Sequence, residues 1–314
     1  MILKRKLLLA VNPHAGKSMM KNKLLSVVER FTRGGYEVTV FTTQRAGQLP
    51  DYIRDNAERF DLVVCSGGDG TMSETVNGLM RCENPPRLGY IPAGTTNDFA
   101  TSLGLSKNAE IAANDIMEGV AVPVDVGQFG DDYFSYVVAF GAFTDVTYET
   151  PQKTKSLLGH AAYVLEGAKR LPGLKAYHVR LEYEGGVIED DILVGIIGSS
   201  DYVAGMPMGK MVDASMTDGL LDVILIKNPA SLTELQGILN GFLVGEFNEK
   251  YVYCVKASKM KIIADRPVPW TVDGEYGGTR SEVEISNHKQ ALRVLVPERS
   301  VKLQELKREL EQEQ

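Results

Sequence analysis

The texture of the chain changes once, near residue 120, and that change constrains the fold more than any other feature. Before it, apolar runs of strand length alternate with segments of helical period, the pattern of βα units stacked into a parallel sheet. The strand candidates are 7–11, 37–42, 62–65 and 88–92. Met20, Leu24, Val27, Val28 and Phe31 share one helical face that Gly34 and Gly35 terminate, and Met72, Val76, Leu79 and Met80 repeat the geometry after the third strand. Past Val120 come VAVPVDVGQF, YFSYVVAFG, YHVRLEYEGG, ILVGIIG, LLDVILI, YVYCVKA, KMKIIA and ALRVLV, strands with few helices between them. This half reads as antiparallel sheet, with helical inserts expected only at 157–171 and 232–242. A length of 314 residues exceeds what one hydrophobic core usually spans. Two domains are therefore expected: an α/β domain at 1–125 and a β-rich domain at 126–296. Leu303, Leu306 and Leu310 line one side of a Lys/Glu-rich segment within 297–314, which is expected to fold back onto one of the domains or to remain a solvated tail.

Charge and composition exclude several functions. With 34 Lys and Arg against 41 Asp and Glu, the net charge of −7 gives no long-range attraction to nucleic acid, and no basic run supplies a local one. No window reaches the roughly 18 apolar residues of a membrane-spanning helix. The stretch 7–11 behind Lys4, Arg5 and Lys6 is too short for a secretory signal. Cys65, Cys82 and Cys254 are odd in number and widely spaced, which fits thiols in a reducing compartment and a cytoplasmic location.

Three polar, glycine-bearing loops follow the first, third and fourth strands, and in an open parallel sheet such loops share the carboxyl edge where ligands bind. The most informative is Ser66-Gly67-Gly68-Asp69-Gly70-Thr71. Its three glycines allow close backbone approach, and its N–H groups with the following helix N-terminus suit a phosphate; a tight strand-to-helix turn without a ligand is the alternative. Asn12-Pro13-His14-Ala15-Gly16-Lys17-Ser18 contains GKS, yet Val11 stands where a P-loop needs glycine. Lys17 is either a point-charge phosphate contact or a solvated helix-start lysine. The third loop is Ile91-Pro92-Ala93-Gly94-Thr95-Thr96-Asn97-Asp98-Phe99.

NPHAGK, GGDGT, IPAGTTNDF and the downstream VDGE, in this order, resemble the diacylglycerol kinase catalytic family, specifically its soluble bacterial lipid kinases. GGDGT alone is shared with 6-phosphofructokinases and NAD kinases; the combination is far more specific. The resemblance runs from about Leu7 to the strand at Val296. It implies a Rossmann-like N-terminal nucleotide domain and a C-terminal antiparallel β-sandwich domain for the lipid, with ATP and acceptor meeting between them. It places Asn12, Pro13, His14, Ala15, Gly16, Lys17, Thr43, Gly67, Gly68, Asp69, Gly70, Thr71, Met72, Ser73, Glu74 and Thr95 around the nucleotide, with Thr42 the rival of Thr43. Asp69 is expected to reach the phosphates through Mg²⁺ or water, since two anions would repel; Asp98 invites the same reading or that of a helix cap.

The resemblance implies Glu275 as the base that takes the acceptor proton, with Asp273 its rival. Were 273–275 extended, both carboxylates would face the same side; a two-residue hairpin turn at Asp273-Gly274 is the alternative. It also implies that Ser215, Asp218 and Leu220 hold a structural Mg²⁺, against an ordinary Asp-Gly turn. The Met-rich loop 204–211 and the locally basic Lys153, Lys155, Lys169, Arg170 and Lys175 are candidates for touching acyl chains and anionic headgroups. The expectation is an ATP-dependent lipid kinase, transiently at the inner membrane face, with diacylglycerol as acceptor. A kinase of a soluble acceptor and a non-catalytic nucleotide sensor are the alternatives. Oligomeric state, a homodimer included, is left open.

Overall fold

The computed structural model describes residues 5–15, 19–141, 176–199, 202–203, 206–207, 215–244, 248–300 and 303. Gly16 and Lys17, the expected helix at 157–171, the lysine-rich neighbourhood at 153–175, most of the Met-rich loop and residues 304–314 lie outside them.

The first half builds β1 (Arg5–Val11), α1 (Met19–Arg33), β2 (Tyr36–Thr42), α2 (Leu49–Asn56), β3 (Leu62–Gly67), α3 (Asp69–Leu79), β4 (Arg87–Pro92), α4 (Asp98–Ser102) and α5 (Ala109–Glu118). The strands pair in parallel in the order β4-β3-β1-β2. Alternation along each strand sends Leu8, Ala10, Val63 and Cys65 to one face and Leu7, Leu9, Leu62 and Val64 to the other. Both faces are covered, by α2, α3 and α4 on the first and by α1 and α5 on the second, which is why β1 and β3 read as unbroken apolar runs. α2, α4 and α5 are additions to the two helices legible from periodicity. α5 is set by Asn108, whose Oδ1 accepts the N–H groups of Glu110 and Ile111 at 3.0 and 3.2 Å.

The second half comprises β5 (Val120–Phe129), β6 (Asp132–Phe134), β7 (Val137–Gly141), β8 (Tyr177–Tyr183), β9 (Gly186–Gly198), the short pair β10 (Tyr202–Val203) and β11 (Met206–Pro207), β12 (Leu221–Lys227), α6 (Leu232–Val244), β13 (Val252–Ala257), β14 (Lys259–Val272) and β15 (Glu275–Val296). All pairings within this half are antiparallel. The long strand β14 pairs with β8 over Met260–Ala264 and with β7 over Trp270–Val272, with register shifts between. It thereby wraps a core in which the Trp270 ring lies 5.0 Å from Phe129 and 4.7 Å from Phe140.

β15 ties the halves together. It pairs with β14 and β5, and near its end Val294 aligns in parallel with Leu88 of β4, so one hydrogen-bonded sheet crosses the whole molecule. Beyond β15 the chain returns to the first half: Ser300 Oγ donates to the Leu103 carbonyl at 2.9 Å, and Leu303 is buried in the core beneath α2 to α4. Among the described residues no helix is long and apolar enough to cross a membrane.

Candidate active site

Gly67 ends β3, Gly68 caps α3 and Asp69 opens it, so the helix begins inside the glycine loop. The glycines have separate reasons. A Cβ on Gly67 would strike Thr71, and one on Gly94 would come within 2.5 Å of the Gly68 Cα, so the β3–α3 and β4–α4 loops meet backbone to backbone. Ala93 N–H donates to the Gly67 carbonyl at 2.7 Å, and the Tyr90 hydroxyl donates to the same oxygen at 3.2 Å. Asn97, left-handed at φ 56°, accepts the Gly94 N–H and returns its amide to the Gly94 carbonyl, both at 2.9 Å. Sequence reasoning passed over Asn97 and Tyr90. A lone Asn beside Asp in IPAGTTNDF is the available signal, because Asn tolerates the left-handed region.

The first loop joins this cradle. Asn12 Nδ2 donates to Thr71 Oγ1 at 3.1 Å, its backbone N–H donates to the Ser66 carbonyl, and its Oδ1 accepts the His14 N–H. Thr43 is buried and donates its N–H to Val11, whereas Thr42 faces outward and accepts from Gln44; Thr43 is the one beside the first loop. Glu74 accepts the Gly47 N–H at 2.7 Å and anchors the β2–α2 loop to α3. Met72 gives its side chain to the hydrophobic core, and Thr95 is exposed.

Electrostatics distinguish the carboxylates. Asp69 has one oxygen held by the Asn97 N–H at 2.8 Å and is also eased by the Phe99 N–H, while its Oδ1 is buried and makes no hydrogen bond of ordinary geometry. Desolvation, then the nearby Asp98 charge, push its pKa up to about 6. Asp98 is buried as the first residue of α4, whose cap is Asn97. The Asp69 Oδ1, beside a second buried carboxylate at the mouth of a phosphate-type loop, fits a hard divalent cation such as Mg²⁺.

Asp273 and Gly274 both adopt positive φ, 47° and 83°, and Val272 pairs with Glu275. The segment is a two-residue hairpin turn, so the extended reading that put both carboxylates on one side does not hold. Asp273 is buried and accepts four hydrogen bonds, from Ser135 N–H and Oγ and from the N–H groups of Tyr136 and Val137, at 2.7 to 3.2 Å. Burial raises its pKa, and those four donors oppose the rise. Glu275 is exposed at the start of β15, and a Cβ on Gly70 would stand 3.1 Å from its Oε1. The VDGE motif therefore divides: one acid anchors the turn, the other overhangs the phosphate-type loop.

Ser215, Asp218 and Leu220 lie together before β12. Asp218 accepts the Leu220 N–H at 2.9 Å and pairs with Lys256 Nζ at 3.2 Å. Ser215 Oγ is buried and accepts the Thr217 N–H. A divalent ion on Asp218 would share that carboxylate with the Lys256 ammonium, which also pairs with Asp222 at 3.6 Å. Asp125 holds this loop in place: it accepts Gly219 N–H, Gln290 N–H and Asn287 Nδ2 at 2.7 to 2.9 Å, binding β5, the 215–220 loop and a bulge of β15. An acid inside the apolar run VPVDVG was a visible sign of such a role.

Two family profiles cover nearly the whole chain: the diacylglycerol kinase catalytic domain over residues 6–129, and the YegS C-terminal NAD kinase beta sandwich-like domain over residues 137–296. The diacylglycerol kinase of Bacillus subtilis (strain 168) is 37% identical over 271 residues, 85% of this chain and 88% of that protein. The chain belongs to the diacylglycerol kinase catalytic family. The diacylglycerol kinase of Staphylococcus carnosus is similar at 36% identity over 91% of this chain and 93% of its own. A crystal structure from Bacillus anthracis strain Sterne superposes with a TM-score of 0.80 at 26% identity, covering 95% of this chain and 97% of that one. As a member of this family the protein is an enzyme of the kinase class, with a β-sandwich-like C-terminal domain. The gap between the profiles, between residues 129 and 137, contains β6 and the β6–β7 connection, from which Ser135 and Tyr136, with Val137 at the start of β7, donate their N–H groups to Asp273.

Proposed function

We propose that the protein transfers the γ-phosphate of ATP to the hydroxyl of a membrane lipid, with diacylglycerol as acceptor and phosphatidic acid as product. The observation that carries this reading is the position of Glu275 over Gly70, which sets a solvent-facing carboxylate above a phosphate-type loop. The names of the Bacillus subtilis and Staphylococcus carnosus relatives support the acceptor. The parallel first half supports a Rossmann-like nucleotide domain of the kind found in 6-phosphofructokinases and NAD kinases.

In this reading the backbone of Gly67, Gly68, Gly70 and Thr71, with Asn12 and Thr43 beside it, receives the phosphates at the positive end of α3. Asp69 and Asp98 hold Mg²⁺, which when bound neutralises phosphate charge. Glu275 accepts the hydroxyl proton as the lipid oxygen attacks phosphorus, and Asp273 keeps the turn rigid so that the base stays over the loop. Ser215, Asp218 and the Leu220 main chain hold a structural Mg²⁺, with Lys256 balancing Asp218 in its absence. The lipid reaches Glu275 from solvent, so the enzyme meets its membrane peripherally, from the cytoplasmic side.

The test is incubation of purified protein with labelled ATP, Mg²⁺ and either dispersed diacylglycerol or NAD and sugar phosphates. Labelled phosphatidic acid is expected. Product only on the soluble acceptors would replace the lipid reading, and ATP binding without transfer to any acceptor would leave a sensor.

A further inference from the structure

We infer that the Tyr136 hydroxyl is a further catalytic group of this centre, donating a hydrogen bond to a non-bridging oxygen of the phosphoryl group in flight; the inference rests on the kinase reading above. Tyr136 lies between β6 and β7, in the second half of the chain, and is only 5% exposed. Its backbone is fixed at both ends: the N–H donates to Asp273 Oδ1 at 3.0 Å and the carbonyl accepts the Ser199 N–H at 3.3 Å. The hydroxyl stands against the turn that joins the two acids, since a Cβ on Gly274 would lie 3.5 Å from it. Asp273, Asp69 and Asp98 are all close enough to act on it electrostatically.

Set against the Asp273–Gly274 turn, this hydroxyl hydrogen-bonds to no described residue. The nearest acid is already committed, Asp273 to its four donors, and Asp69 turns one oxygen to Asn97. The hydroxyl is not sealed from solvent, so in the free protein water can take its proton, and a ligand oxygen arriving beside the Asp273–Glu275 turn can replace that water as acceptor. Two reacting oxygens pass through that place. The acceptor alcohol must present its lone pair to phosphorus, and a donor aimed at it would weaken the attack. The phosphoryl oxygens carry the charge spread over the transition state, and a donor aimed at them stabilises it. In the step, the alcohol O–P bond forms as the bond from phosphorus to the β,γ-bridging oxygen breaks. ADP leaves, the alcohol proton goes to Glu275, and Tyr136 keeps its own.

Tyr136→Phe removes the O–H and keeps the ring. The expected result is a kcat lowered about 10- to 100-fold, with KM for ATP and for diacylglycerol within about twofold of the parent and an unchanged unfolding midpoint. A second measurement does not need the lipid: the affinity for ADP with Mg²⁺ and aluminium fluoride should weaken at least about tenfold, while that for ADP alone stays within about twofold. Equal aluminium fluoride complexes in parent and variant would overturn the assignment. So would a loss carried equally by ADP alone, which would make Tyr136 a packing residue of the nucleotide site. A parent that fails to phosphorylate diacylglycerol would overturn the acceptor reading alone, and the aluminium fluoride comparison would still decide Tyr136.

Discussion

Replacing Asp69 by Asn should make the unliganded protein more stable while removing its activity. The carboxylate is desolvated, faces Asp98, and leaves one oxygen without a hydrogen bond of ordinary geometry. Its pKa rises from an ordinary 3.8 to about 6, and at about 1.4 kcal/mol per tenfold change in proton affinity the ionised group costs the folded state roughly 3 kcal/mol. The sign follows from which state binds the proton more tightly. A raised acid pKa means that the folded protein takes up its proton first, so the cost is absent below about pH 4, grows between pH 4 and 6, and is complete above 6. Asn keeps an oxygen for the Asn97 N–H and carries no charge toward Asp98. Urea unfolding of parent and Asp69→Asn without nucleotide or metal should therefore show the variant more stable by about 2 to 3 kcal/mol at pH 7.5, with the difference closing near pH 4. Millimolar Mg²⁺ should stabilise the parent more than the variant. A variant less stable than the parent at pH 7.5, or a gain unaltered by pH, would refute the view of Asp69 as a strained anion awaiting a cation.

Glu275→Gln should lower kcat by about 10²-fold or more without moving the unfolding midpoint, because the side chain is exposed; kinetics beside a melt check both halves. Asp273→Ala should cost about 3 kcal/mol or more in urea unfolding, since it strands three buried backbone donors and a hydroxyl. Gly94→Ala drives a methyl to 2.5 Å from the Gly68 Cα and should weaken ATP binding at least about tenfold by calorimetry. Lys256→Met removes the ammonium that balances Asp218, so Mg²⁺ should raise the variant's unfolding midpoint more than the parent's.

Periodicity made the parallel half and the strand content of the second half legible, because buried strands and amphipathic helices leave patterns in a short window. α4 and α5 escaped because what sets them is local: a left-handed Asn97 and an Asn108 cap. At the site, GGDGT suggested a phosphate loop through its glycines alone, yet the side chain that comes closest over Gly70 is Glu275, some 200 residues downstream. The division of labour in VDGE was likewise hidden. Asp273 and Glu275 differ through positive φ at the turn and through donors from residues 135–137, neither of which is written in the motif. Asp125 and Tyr136 belong to the same class: each draws its meaning from partners on other strands.

The course of β15 explains how a carboxylate in one half can be held over a loop in the other. Glu275 is its first residue, and the 22-residue strand, bulged between His288 and Leu292, runs to Val296, pairing with β14 and β5 and finally lying beside Leu88 of β4. β4 is in turn hydrogen-bonded to β3, the strand that ends in Gly67. The path from Glu275 to the glycine loop therefore passes through hydrogen-bonded strands, joined between β15 and β4 at the single pair Val294–Leu88. Wide separation of the two halves would have to part β15 from β4 or β5, so the backbone at Glu275 is tied through the sheet to the strand that carries Gly67. In the proposed reaction, binding energy is then left for placing the phosphoryl group and the alcohol, the step in which orientation contributes most to the rate.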